Sequence, residues 1–189
     1  MIRSWPFILV VFLACDKGDA SDASKQGSDS KPVSEGNDDK PGAFTKYRLK
    51  SMSSEARMEL RRLTDGVMAA AYGAESIGLG TIDGTVAAPA LPASAPMTPA
   101  PGSCCKLPKG LCPVSAEAWA SPEWKAVAFE MSNPHRYSYE LVVKGDTFTA
   151  KAVGDLDCDG KFSTFSLSGR IEGDEIVLDK ELTIVDPLE

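Results

Sequence analysis

A single histidine, His135, stands in the 189 residues. Ser-His-Asp or Cys-His catalysis would have to run through that one imidazole. It lies between Pro134 and Arg136 in a stretch that reads as a turn between strands, where a structural or surface role is expected. No Gly-x-Ser-x-Gly elbow is present. The chain also lacks a surplus of positive charge. Its 20 Lys and Arg stand against 27 Asp and Glu, for a net charge of −7. That balance favours solubility and argues against nucleic-acid binding, which wants a clustered basic surface. Apolar runs are short. Trp5 to Ala14 spans ten residues, and roughly 20 are needed to cross a bilayer. No Cys-x-x-Cys pair occurs, and adjacent cysteines ligate one metal poorly, so zinc is not expected.

What the chain does have begins at its N-terminus. Arg3 precedes the apolar run, which ends at Cys15, and from Asp16 the sequence turns polar. This is the pattern of a signal peptide. Phe12-Leu13-Ala14-Cys15 resembles the bacterial lipobox, with Phe where Leu or Val is usual. The resemblance implies a signal peptide over 1–14 and lipidation at Cys15. It also implies a membrane partner engaged through that acyl anchor. An ordinary secretory signal, or a retained anchor, is the alternative. All three take the chain out of the cytoplasm and into the cell envelope. Asp16 after the cysteine favours inner-membrane retention in enteric bacteria, so the choice of inner or outer membrane stays open.

Five cysteines is an odd count. With Cys15 lipidated, Cys104, Cys105, Cys112 and Cys158 form an even set, and export allows two disulfides in three pairings. A Cys104–Cys105 ring would be strained. The expectation is one short bridge to Cys112 and one long bridge to Cys158. The long one would pin the Pro-rich loop onto the sheet and remove more entropy from the unfolded chain.

Residues 15–43 are rich in Asp, Ser, Lys and Gly, with Val33 almost the only large apolar side chain. Such a segment buries too little to offset its ordering entropy and reads as a disordered tether. A folded domain is expected over 44–189. In 44–75, Leu49, Met52, Ala56, Leu60, Leu63, Val67 and Ala71 recur at spacings of three and four, which predicts a helix. Ser53, Ser54, Glu55, Arg57, Glu59, Arg61 and Arg62 fall on its other face. Arg57, Arg61 and Arg62 are expected to be a solvated face, with a binding patch as the alternative. Gly73 and Gly78-Leu79-Gly80 are the stop signals. Residues 84–114 form a Pro/Ala/Gly-rich loop that carries three cysteines.

Residues 115–185 read as β-rich, after a helical turn at Ser115–Trp119. Strands are predicted at Trp124–Met131, Tyr137–Lys144, Thr147–Val153, Ser163–Ser168 and Glu175–Val185. Gly145-Asp146 and Glu172-Gly173-Asp174 are hairpin signals. The expected fold is α+β, one long helix on a four- to five-stranded antiparallel sheet with a disulfide-bonded loop. Trp119, Trp124, Phe129, Tyr137 and Tyr139 are expected to pack the core beneath the helix.

Several stretches are similar to a known family. Lys50-Ser51-Met52-Ser53-Ser54-Glu55-Ala56, followed by Leu60-Arg61-Arg62-Leu63-Thr64-Asp65-Gly66, looks like "KSKTSEA…NLK.I.DG". Pro92 to Pro99 and then Cys104-Cys105 look like "FP.S…TP…CC". Trp119 to Phe129 looks like "W..P.W..L.F", and Pro134 to Tyr139 like "PHYYSY". Gly154 to Gly160 with Ser163-Thr164-Phe165 looks like "GDLDGDG..STF". In this order, from about Lys46 onward, they resemble the headgroup of type IV pilins of deltaproteobacterial type and of type II secretion pseudopilins. A pilin carries a Gly before a Phe or Met cleavage site, and then an apolar helix of some twenty residues. Here the lipobox and tether stand in their place, which removes the physical basis for ordinary pilus assembly. The resemblance implies a pilin-like headgroup displayed as a lipoprotein, with protein partners in the envelope and a place beside pilus or type II secretion machinery.

Asp155-Leu156-Asp157-Cys158-Asp159-Gly160-Lys161 begins like an EF-hand loop. Asp155, Asp157 and Asp159 hold its first three ligand positions and Gly160 its turn glycine. Ser163 and Ser166 occupy the ninth and twelfth positions, where the bidentate Glu is missing. Pseudopilins bind calcium in a loop of their β-region, so the resemblance keeps calcium as a candidate. The competing reading is an acidic turn locked by the Cys158 disulfide. No cofactor is required. The expected function is non-enzymatic, that of a lipid-anchored interaction protein. A small calcium- or ligand-binding periplasmic module is the alternative.

Overall fold

The computed structural model of the chain describes residues 42–73 and 88–189. The signal segment, Cys15, the tether up to residue 41 and the Gly78-Leu79-Gly80 stop signal lie outside the described residues. No helix among them is long and apolar enough to cross a membrane.

The predicted helix forms as α1 (Ala43–Met52) and α2 (Ser54–Tyr72), parted at Ser53. The break has a local cause. Ser53 Oγ donates to the Lys50 carbonyl at 2.9 Å, and Ser54 Oγ to the Ser51 carbonyl at 2.6 Å. Serine hydroxyls that bond back in this way loosen the helical ladder. The buried stripe is the predicted one, with Leu49, Ala56, Leu60, Leu63, Val67 and Ala71 inside and Met52 half-buried. Burying each Leu is worth about 1.5–3 kcal/mol. Gly73, at φ 71°, ends α2, a conformation that glycine adopts without a Cβ penalty. The hydroxyl of Tyr72 accepts the Ile176 N–H at 3.0 Å and ties the end of α2 to the sheet.

The sheet is antiparallel and six-stranded: β1 (Ala95–Thr98), β2 (Ser138–Lys144), β3 (Thr147–Gly154), β4 (Ser163–Glu172), β5 (Glu175–Leu178) and β6 (Thr183–Val185). The order is β1-β2-β3-β4, and then β5 and β6 share the far edge of β4. Gly145-Asp146 closes β2 to β3 between the paired Lys144 and Thr147. Gly173-Asp174 closes β4 to β5 between Glu172 and Glu175. Alternation sends Tyr139, Leu141, Phe148, Ala150, Ala152, Phe165 and Leu167 inward, where α2 packs on β3 and β4. The fold is α+β.

Three expectations are corrected. Trp124–Met131 is not a strand. It opens as the short helix α3 (Pro122–Ala126) and continues irregularly. Ser121 caps that helix by accepting the Trp124 N–H at 3.5 Å, and Pro122 fills its first position. Glu175–Val185 is two strands, because the charged run Asp179-Lys180-Glu181 interrupts it. The Pro-rich loop contributes β1. A sheet edge tolerates Pro96, since a strand there has no partner on its outer side for the missing N–H.

Trp119, Trp124, Phe129, Tyr137 and Tyr139 are all buried, as expected of core rings. Trp119 stands edge-on to Trp124 at 5.1 Å and to Phe129 at 5.4 Å between centroids. The segment carrying these rings meets α2 at Gly66. A Cβ there would overlap the Val127 carbonyl oxygen.

Candidate functional site

The cysteines pair as Cys104–Cys112 and Cys105–Cys158, with Cα separations of 4.7 and 5.5 Å. The adjacent pair splits between partners, as expected. Cys112 and His135 exchange backbone hydrogen bonds of 2.8 and 3.0 Å, so the short bridge is also fastened to the segment that leads into β2. The long bridge ties the 3-10 turn Cys104–Lys106 to the acidic loop. The Cys105 sulfur rests 3.2 Å from the Asp155 carbonyl oxygen. A disulfide sulfur has no proton to donate, so this is a contact and not a hydrogen bond.

The loop brings Asp155, Asp157 and Asp159 together, with one carboxylate oxygen of each within 4.8 Å of the others. Two of the three are engaged by the loop itself. Buried Asp155 accepts the N–H of Asp159 at 3.2 Å and of Gly160 at 3.0 Å, one on each oxygen. Asp159 accepts the Lys161 N–H at 2.8 Å and pairs with its ammonium at 3.0 Å. Those two contacts hold the Asp159 carboxyl below its ordinary value, and the contact with the carboxylate pushes the Lys161 ammonium above its own. A cation would have to displace that ammonium.

The second half of an EF-hand is not laid out here. β4 starts at Ser163, whose buried hydroxyl donates to the Gly154 carbonyl at 3.2 Å, and Ser166 pairs with Lys151 in the sheet. The ninth and twelfth positions therefore belong to the strand and do not curl back towards the carboxylates. The alternation of Ser163-Thr164-Phe165-Ser166-Leu167 carries this signal in the sequence.

No protein-family model matches this chain, and no curated protein or solved structure is similar to it at a significant level.

His135 is buried, and its Nδ1 lies 3.4 Å from the Asn133 carbonyl oxygen. Burial lowers its pKa, which favours the neutral imidazole. Its ring lies beside Trp119, 6.0 Å between centroids. It is packed into the core and not presented to solvent.

A shallow groove of about 520 Å³ lies over the same rings. Glu117, Trp119, Trp124, Lys125, Phe129 and Glu130 line it. One lysine among carboxylates and rings offers a surface for contact. It does not pair a nucleophile with a general base.

Glu55, expected on the solvent face, turns inward. Its carboxylate accepts the N–H of Arg136 at 3.0 Å, the N–H of Tyr137 at 3.2 Å and the Tyr139 hydroxyl at 3.3 Å. Burial raises its pKa, and the two N–H bonds and the Tyr139 hydroxyl oppose the rise. Burial also pushes the Tyr137 phenol up to about 12. Glu55 thus fastens the start of α2 to the entry of β2. Arg62, also expected to be solvated, donates to the Glu130 carbonyl at 2.7 Å and stacks over Phe129 at 4.4 Å. Arg57 stands 5.4 Å over Phe165. Of the three arginines, Arg61 alone has no such contact among the described residues.

Proposed function

We propose that this chain is a non-enzymatic envelope protein, held to a membrane through lipid on Cys15, whose α+β head works by binding other proteins. The observation that carries the reading is the cysteine pairing. Cys104–Cys112 and Cys105–Cys158 use every cysteine of the head and leave Cys15 alone, directly after a short apolar segment. Disulfides of this kind belong to exported proteins, and a lone cysteine at that boundary is where lipid would be attached. The five motifs that resemble those of pilin headgroups, in order along the head, support a pilin-like interaction domain beside type IV pilus or type II secretion machinery.

The test is the intact mass of the mature protein from membranes, before and after reduction with thiol alkylation. The reading expects an acyl mass on Cys15 and four thiols that appear only on reduction. An unlipidated product with free thiols would overturn it. Calcium is the alternative that Asp155, Asp157 and Asp159 invite. A calcium module would gain stability with Ca²⁺, and Asp157→Ala and Asp159→Ala would abolish the gain. The interaction reading expects no gain.

A further inference from the structure

The helical run also carries apolar side chains outside the stripe it buries. Phe44, Tyr47 and Met58 are 80%, 72% and 65% exposed. A separation of 3 sets Phe44 and Tyr47 on one side of α1, and Met58 is exposed in the second turn of α2, beyond the break at Ser53. Lys50 follows Tyr47 by three residues and Arg61 follows Met58 by three, so cations flank these side chains. Lys46, Arg48 and Lys50 are exposed, and none of them forms an ion pair among the described residues. Between Ala43 and Arg62 stand six Lys and Arg against two Glu, in a chain whose net charge is −7. The positive charge is therefore concentrated in this helical run, and Arg48, Lys50 and Arg61 are its members beside the exposed apolar side chains.

We infer that this face, Phe44, Tyr47 and Met58 with Arg48, Lys50 and Arg61 beside them, rests on an anionic phospholipid surface. Aromatic and aliphatic side chains flanked by Lys and Arg are what enters a headgroup layer. The acidic remainder of the head is repelled by the same surface, which orients the domain helix-side down. A second copy of the chain fits this face poorly, because a two-fold contact would set these cations against one another. Proximity to a membrane rests on the anchored reading proposed above. At about 3.3 Å per residue, the chain between Cys15 and α1 also reaches far enough to hold the head away from the bilayer. Docking therefore has to come from the helix itself.

The test uses the membrane-extracted protein carrying Phe44→Trp, reconstituted into phosphatidylcholine vesicles with or without phosphatidylglycerol. Brominated acyl chains report depth. A second protein with Val185→Trp, on exposed β6, is the control. Measured against the unsubstituted protein, whose buried Trp119 and Trp124 also emit, the expected result is strong added quenching for Phe44→Trp with phosphatidylglycerol only, weak added quenching for Val185→Trp, and reversal by salt. Adding Lys50→Glu and Arg61→Glu should lower the docking equilibrium constant, read from the quenched fraction, by at least roughly fivefold per cation removed. Equal quenching with and without phosphatidylglycerol, or indifference to the charge reversals, would overturn the inference. So would a blue shift that appears in detergent and grows with protein concentration, which signals self-contact. A shift confined to native membranes would assign the face to a protein and overturn it as well. If the mass shows no lipid on Cys15, the same protein added to preformed vesicles asks the docking question alone, so the two readings fail separately.

Discussion

The segment from Ala95 to His135 and the meander from Ser138 to Glu172 bury aromatic rings equally well and hold them by different means. In the meander each ring stands on a strand whose backbone is paired with its neighbours, and Phe148 and Phe165 point inward by simple alternation. In the other segment Trp119, Trp124 and Phe129 sit on a turn, a five-residue helix and an irregular stretch. Their positions are fixed by packing on α2, by the arginine clamp at Phe129 and by two covalent bridges. A regular ladder is cooperative and needs no cross-link. An irregular segment of this length is costly to order, and here disulfides lower the entropy of the unfolded chain instead.

Removing the bridges breaks the comparison most sharply. The chain-entropy relation assigns about 4 kcal/mol to a bridge spanning 53 residues and about 2.5 kcal/mol to one spanning 8. The Cys105→Ser/Cys158→Ser protein should therefore lose more stability in urea than the Cys104→Ser/Cys112→Ser protein. In both, near-ultraviolet dichroism from Trp119 and Trp124 should weaken while the far-ultraviolet β signal persists. Simultaneous loss of both signals would show that the irregular segment and the meander are one cooperative unit and that the distinction is false.

The seam between the two regions is the next place to press. Gly66 lets α2 approach the Val127 carbonyl, where a Cβ would overlap it. Gly66→Ala gains about 1 kcal/mol of helix propensity. It should still destabilise the head, since forced backbone shifts cost roughly 1–3 kcal/mol. A stabilised Gly66→Ala protein in thermal unfolding would mean that the irregular segment yields freely, and that α2 does not depend on its position.

The sequence discloses these regions unequally, for a physical reason. Leu49 to Ala71 and Tyr139 to Leu167 follow periods of 3.6 and 2, because each element buries one face against a single neighbour. Trp124, Val127, Phe129 and Met131 mimic alternation in part without forming a strand. Ser121-Pro122-Glu123 is the local signal of the helix that forms instead. Splitting Cys104 and Cys105 between Cys112 and Cys158 follows from ring strain, but which takes which depends on the folded path of the loop. Glu55 is the least legible, because its partner Arg136 is 81 residues away and offers a backbone N–H, which no side-chain pattern records. The exposed Phe44 and Tyr47 break the expected pattern of a helix with one apolar face. That departure is what the docking inference explains.

The smallest effect sharpens the contrast between a carboxylate taken into the head and one left on its rim. Glu55 is shifted above its ordinary value of 4.5, chiefly by burial. Asp159 is shifted below 3.8, chiefly by the Lys161 N–H and then by its ammonium. A raised carboxyl holds its proton more tightly in the folded protein. Its contribution is therefore greatest below 4.5 and falls as pH rises through the raised value. A lowered carboxyl does the reverse: its contribution is present above 3.8 and is lost as pH falls through the lowered value. Carboxyl resonances followed by NMR across the acid range should give a Glu55 midpoint above that of Asp159. The free peptide order is Glu above Asp by only a few tenths of a unit, so the folded gap should be visibly wider. Asp159 is open to solvent, so Asp159→Asn should change stability little at any pH. A Glu55 midpoint below 4.5 would mean that the N–H groups of Arg136 and Tyr137 outweigh burial. Glu55 would then act as an ionic anchor of α2, and its removal would cost the head most at neutral pH.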